Sequence, residues 1–327
     1  MERLIPIRPL GHGSFGIVYL AYHTEMGIVS VKLIMKNKRN DLREYECNAQ
    51  EQEWKSVIQI TNQQNSCPFI LKYKRYNYNH QGEGIAMDYA NMGTLNIIAK
   101  QPHIPLPSHT LRALMKQILE GVRVIHATNL IHRDIKCDNI LLHSPPGSER
   151  VYVKIADFGL AKKEDSMYEL TNAGTLPYQP PEQFHENPII TQKVDIYAVG
   201  ITFYKLITHK YPVEVQNKVE YQQKIVQLES IGRPQEIKDD ILWDLLSKLL
   251  EFDPDKRITA EQAIQHPYFT SPQAIADISK EQQDLAKLTI KAQLQEGDSS
   301  ITEFDKDPTF IVAESLMKLM DKYIKIL

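Results

Sequence analysis

Gly11, Gly13 and Gly16 stand in the run Gly11-His12-Gly13-Ser14-Phe15-Gly16-Ile17-Val18. Glycine lets a backbone turn tightly and come close to a phosphate, where amide N–H groups can donate. The G-x-G-x-x-G spacing also marks dinucleotide-binding domains, but there the loop opens a helix. Here β-prone residues follow, and Val18 stands two places after the last glycine, so the loop is expected to lead into a strand. Val29-Ser30-Val31-Lys32 comes next. Lys32 ends an apolar run one strand beyond the loop, where its ammonium can hold phosphates. A lysine buried there needs a carboxylate partner. The helical stretch 43–58 offers Glu44, Glu46, Glu51 and Glu53. Glu53 is favoured over Glu51, because one turn later it is followed by apolar Val57 and Glu51 by Lys55.

Three further groups carry chemistry. Ile131-His132-Arg133-Asp134-Ile135-Lys136-Cys137-Asp138-Asn139 could be a plain polar loop. Apolar Leu130-Ile131 and Ile140-Leu141-Leu142 argue instead that its ends are buried. In Ile155-Ala156-Asp157-Phe158-Gly159 a carboxylate suited to a metal follows a buried strand, and glycine allows a bend. The last group is Gly174-Thr175-Leu176-Pro177-Tyr178-Gln179-Pro180-Pro181-Glu182.

The elements that must hold these residues divide the chain. The first ninety residues read as strand-rich, with Ile17–Leu20, Ile28–Lys32, Phe69–Tyr78 and Ile85–Tyr89 as strands. A helix is expected over 43–58. From residue 107 the pattern turns helical. Leu111, Leu114, Met115, Ile118 and Val122 form an apolar stripe after the start signal Pro107-Ser108. Strands 140–143 and 151–155 flank a Pro-Pro-Gly turn, and 194–208 and 239–251 read as helices. Beyond 270 the chain reads as a helical tail. Leu285, Leu288 and Ala292 suggest one helix. Val312, Leu316, Leu319, Met320, Tyr323 and Leu327 stripe a second, with a polar loop near 296–308 between them.

Composition narrows the partners. The 327 residues hold 38 basic and 41 acidic side chains, net charge −3, which leaves no footprint for nucleic acid. Cys47, Cys67 and Cys137 form no CxxC pair, so neither a disulfide framework nor a zinc site is expected. A reducing cytoplasmic setting fits, with nucleus and cytoskeleton open. No apolar run is long enough for a membrane helix, and no leader or lipidation signal is visible.

Taken together and in order, these motifs make the chain resemble the eukaryotic protein kinase family of serine/threonine type, over about residues 4–269. The resemblance implies an α+β fold of two lobes, an N-lobe over about 1–90 and a mainly helical C-lobe over about 91–269. Residues 270–327 form the tail. It implies ATP and Mg2+ as cofactors and protein hydroxyls as acceptors. Gly11, Gly13, Ser14 and Gly16 would cover the ATP phosphates, with Val18 following. Lys32 would anchor the α- and β-phosphates and pair with Glu53. Met87 resembles the gatekeeper, and Asp88-Tyr89-Ala90 the hinge that meets adenine. Asp134 matches the catalytic base, Lys136 its γ-phosphate partner, and Asn139 and Asp157 the Mg2+ ligands. Asp195 would brace the catalytic loop, and Glu182 would pair with Arg257. Lys136 and Thr175 match the serine/threonine class. Arg133 implies control by activation-loop phosphorylation, with Thr171 the expected site and Ser166 second. Ser30 and Pro180 each replace a usual alanine without removing a reacting group. A scaffold that had lost catalysis would lack the lysine, the base or a metal ligand, and none is missing. The tail either packs on the C-lobe or docks a partner protein.

Overall fold

The computed structural model describes residues 4–13, 16–33, 56, 58, 60, 67–78, 82–102, 106–164, 174–185, 188, 190–214, 217–296 and 301–318. Ser14, Glu53, Ser166 and Thr171 lie outside these residues, as do Cys47 and most of the helix expected over 43–58, of which Ser56 and Ile58 are described and helical; Ile60, just beyond it, is helical too.

Five antiparallel strands form the first lobe: β1 (Leu4–Gly13), β2 (Gly16–His23), β3 (Gly27–Leu33), β4 (Tyr73–Tyr78) and β5 (Gly82–Asp88), in the order β1-β2-β3-β5-β4. Alternation along β3 explains its two faces. Val29 and Val31 bury into a cluster with Ala21 and Ala86. Ser30 and Lys32 point to the opposite face, paired in register with Met87 and Ile85 of β5. The β2–β3 turn closes on Gly27 at φ +73°, a backbone state that costs glycine little. β4 begins later than the sequence suggests. Phe69–Leu71 run as a turn and an isolated bridge, fully buried under Ile155 rather than in the sheet.

The second lobe is mainly helical. Short α1 (Asn96–Ala99) precedes α2 (Ser108–Ala127), whose expected stripe Leu111, Leu114, Met115, Ile118 and Val122 is buried. Four short strands follow: β6 (Leu130–Ile131), β7 (Ile140–His143), β8 (Arg150–Ile155) and β9 (Lys162–Lys163). Helix α3 (Lys193–Thr208) is buried almost along its whole length and has no polar face, so it acts as the pillar of this lobe. Helices α4 (Lys218–Gln227), α5 (Asp240–Leu249), α6 (Ala260–Ile264) and α7 (Pro267–Thr270) complete it. Asp239 caps α5 by accepting from the Ile241 and Leu242 N–H groups. The α+β, two-lobed arrangement implied by the resemblance is the one observed.

The tail folds back on the second lobe through α8 (Pro272–Ala276), α9 (Lys280–Glu296) and β10 (Val312–Ala313). The helix expected from Val312 starts only at Glu314. Val312 and Ala313 instead pair antiparallel with Val151 and Arg150, so β8 gains a partner on each side. The open edge of β8 needs hydrogen-bond partners, and that requirement overrides the helical spacing. The described part of the polar loop before it, from residue 301, is mostly half-buried. Asp305 is buried and meets Arg150, Tyr152 and Thr302. Phe304 and Phe310 pack on Phe69 at 5.0 and 5.7 Å between ring centres.

Candidate active site

The site is assembled on the loop between β6 and β7. Leu130, Ile131, Ile140 and Leu142 are buried at its two ends, so the polar residues between them have little freedom. Asp195, in the first turn of α3, fixes the loop's backbone. Its Oδ2 accepts from the His132 N–H and its Oδ1 from the Arg133 N–H, both at 2.8 Å. The His126 Nε2 lies 2.9 Å from Oδ2. Burial by itself would raise the Asp195 pKa. The hydrogen bond from His126, the closeness of the two imidazoles and the His132 N–H outweigh it, and the carboxyl is held below its usual range. Arg133 takes a left-handed conformation, φ +69°, which turns the chain toward Asp134.

Asp134 gathers three donors. Lys136 Nζ donates to Oδ2 at 2.7 Å and Asn139 Nδ2 to the same oxygen at 2.8 Å. Thr175 Oγ1 donates to Oδ1 at 2.8 Å and accepts from Lys136 Nζ at 2.7 Å. Thr175 reaches the loop because Gly174 lies against it at φ +106°. A Cβ on Gly174 would stand 2.6 Å from the Arg133 carbonyl oxygen, so both conformation and space require glycine.

Lys32 and Asp157 meet from opposite lobes, Nζ to Oδ1 at 3.3 Å. Asp157 has φ +66°, and its N–H donates to the Tyr73 hydroxyl at 2.9 Å. Phe158 is wholly buried between Tyr73 and His132, with ring centres 6.0 and 4.8 Å away. His132 thereby belongs to the core, its Nε2 3.1 Å from the Ala156 carbonyl oxygen. Met87 is buried on β5, Asp88 is exposed, and Ala90 is half-buried. Ser30 Oγ donates to the Met87 and Asp88 carbonyl oxygens at 3.3 and 3.2 Å. Gly13 pairs with Gly16 and Gly11 with Val18 in the β1–β2 ladder, which makes the glycine run a hairpin. A Cβ at Gly11 would meet nothing within 4 Å, so no contact inside the protein demands glycine there.

Supporting groups lie further out. Arg257 is buried and donates to both Glu182 oxygens at 2.6 and 3.0 Å. Burial pushes the Cys137 thiol up to about 11, which keeps it an inert filler beside Asp138. Asp138 accepts from Asn96, and Lys205 donates to the Tyr211 hydroxyl at 2.7 Å. Tyr73 and His126 were not singled out in the sequence. Each acts on a residue at least 69 positions away, and no local pattern marks such a partner.

The arrangement offers a carboxylate beside an ammonium and a carboxamide, and a second carboxylate facing a lysine from the other lobe. The family model for the protein kinase domain matches residues 5–269. Mouse Aurora kinase C is 31% identical over 263 residues, 80% of this chain and 89% of that protein. Aurora kinase A-B of Xenopus laevis is 30% identical over 262 residues, 80% of this chain and 60% of its own length. Mouse Aurora kinase B is 30% identical over 262 residues and is matched over 71% of its length.

Proposed function

The chain belongs to the protein kinase family and is a protein serine/threonine kinase; from that premise we propose that Lys32, Asp134, Lys136, Asn139 and Asp157 carry its phosphoryl transfer from ATP to protein hydroxyls. One observation carries this reading: the convergence of Lys136, Asn139 and Thr175 on Asp134. An ionised carboxylate has about four acceptor sites. Three are taken, and the fourth is left for the hydroxyl of an incoming serine or threonine. Asp134 orients that hydroxyl and accepts its proton, and Lys136 steadies the γ-phosphate. Lys32 holds the α- and β-phosphates. Gly11, Gly13, Ser14 and Gly16, with Val18, cover the nucleotide, and the open space above Gly11 suits a close-lying phosphate. Glu53 is the proposed partner of Lys32. Met87 and the Asp88–Ala90 backbone line the adenine.

Asn139 and Asp157 fit Mg2+. Asn139 spends its Nδ2 on Asp134, which leaves Oδ1 to a cation, and the Asp157 side chain is 39% exposed beside Lys32. Among the described residues no group of three or more His, Cys, Asp or Glu gathers to hold a metal. Mg2+ needs only one or two such oxygens, with phosphates and water as the rest of its shell. When bound, it neutralises charge on the transferring phosphates.

We further propose that phosphate on Thr171 switches the enzyme. Arg133 is buried, and burial holds its pKa below the usual value against the opposing pull of Asp195. A phosphate brings about −1.5 to −2 charges to such a cation. The proposed setting is cytoplasmic or nuclear. Cys67 and Cys137 are free thiols, and no described helix is long and apolar enough to cross a membrane.

Phosphate transfer to a degenerate peptide library tests the site. Asp134→Asn should lower turnover by about 10²–10⁴-fold while ATP still binds in calorimetry. Asp157→Asn should abolish Mg2+-dependent transfer. Near-normal turnover in either variant removes that residue from its role. Phosphatase treatment and Thr171→Ala should each lower activity. Full activity in protein free of phosphate over 160–175 would rule the switch out.

A further inference from the structure

A sizeable cleft lies away from Asp134. It measures about 550 Å3 and lies where the 88–90 segment, the β7–β8 hairpin and the tail come together. That size is within the range of small-molecule sites, roughly 300–1,000 Å3. Its walls come from five separate stretches: 68–71, 88–90, 143–154, 285–292 and 301–305. The tail contributes an apolar side through Leu285, Leu288, Ala292 and Ile301. Leu288 is 60% exposed although it faces this recess, so apolar surface is left open.

The charges around it are unequal. Arg150 is committed to the Leu285 carbonyl, Thr289 and Asp305. Asp305 is committed to Arg150, Tyr152 and Thr302. Asp88 and Glu149 are exposed, where water and salt screen them. Lys154 differs from all four. Its Nζ makes one hydrogen bond, to the Pro68 carbonyl oxygen at 2.6 Å, and an ammonium has three donors. Burial is the largest influence on it and lowers its pKa to about 8, with Asp88 opposing.

We propose that this cleft is a ligand site for a small molecule with an apolar body and a single anionic head, the head seated on the Lys154 ammonium. The body covers Leu288, Ala292 and Ile301, and the head takes the two free donors of Lys154. The site is separate from the residues proposed for phosphoryl transfer, apart from the 88–90 segment that both touch.

Calorimetry on the full chain with 2-naphthoate, 2-naphthamide and 2-naphthylmethylamine tests it. The three share one apolar body and differ in head charge. The carboxylate should bind about tenfold more tightly than the amide, the gain from a charge-assisted hydrogen bond, and more tightly still than the amine. Lys154→Met should erase that preference. Ala292→Trp fills the recess and should remove binding of the carboxylate while peptide phosphorylation stays at the wild-type rate. The proposal falls if the amine binds as well as the carboxylate, if Ala292→Trp binds 2-naphthoate like the wild type, or if 2-naphthoate gives no heat at its solubility limit. Should Lys154→Met not fold, the charge series on wild type and the filled variant decide the matter.

Discussion

Lys154 is a cation whose surroundings oppose its charge, which makes its titration readable as stability. Burial takes its pKa from 10.5 to about 8; Asp88, Cys67 and Asp305 pull upward, and Lys72 pushes with burial. Below pH 8 the lysine is charged in both folded and unfolded chains, and folding bears the cost of burying it. Between pH 8 and 10.5 the folded chain has lost the proton while the unfolded chain keeps it, so stability rises with pH. Urea unfolding of wild type and Lys154→Met across pH 7–10 should show the wild type gaining up to about 3 kcal/mol on the variant. A difference independent of pH would contradict the buried charge. At this scale the candidate site was largely legible. Asp134, Lys136, Asn139 and Asp157 sit in short strings whose order is itself informative. Lys154 was not legible, because in a strand of alternating residues a lysine reads as solvent-facing. Its side chain instead meets the Pro68 carbonyl and lines a cleft whose other walls come from distant parts of the chain.

Elements show where local pattern stops being enough. Helices α2 and α3 could be read from apolar spacing, and β2 and β3 from β-prone runs between turn residues. Val312 could not, because its three- and four-residue spacing to Leu316 and Leu319 is helical while its actual partner is Val151. Arg150 likewise reads as the end of a surface turn, yet it holds α9 and Asp305 from inside. Both side chains of that pair are less than 10% exposed. Arg150→Leu should therefore destabilise by about 3–5 kcal/mol, because it strands a buried carboxylate. Adding Asp305→Leu should recover part of the loss, so that the double variant costs less than the sum of the singles. Strict additivity in urea unfolding would mean that the two charges do not sense each other.

For the molecule as a whole, the tail is a structural part of the second lobe. Its strand β10 covers the outer edge of β8, and Gln117 of α2 ties β8 to the turn just before β10, donating to the Val151 and Phe310 carbonyl oxygens. Truncation at residue 270 uncovers Phe69 and the β8 edge together. The melting temperature should fall, and amides of 150–155 should exchange faster than in the full chain. Unchanged exchange there would make the tail a passive addition. The same pairing carries a consequence for biosynthesis. Val151 leaves the ribosome 161 residues ahead of Val312, its strand partner. At about 5–20 residues per second, the edge of β8 waits roughly ten to thirty seconds in the nascent chain without its cover, and the ring of Phe69, made still earlier, waits roughly ten to fifty for Phe304. During that interval an open strand edge beside a large apolar side chain is the kind of surface that chaperones hold.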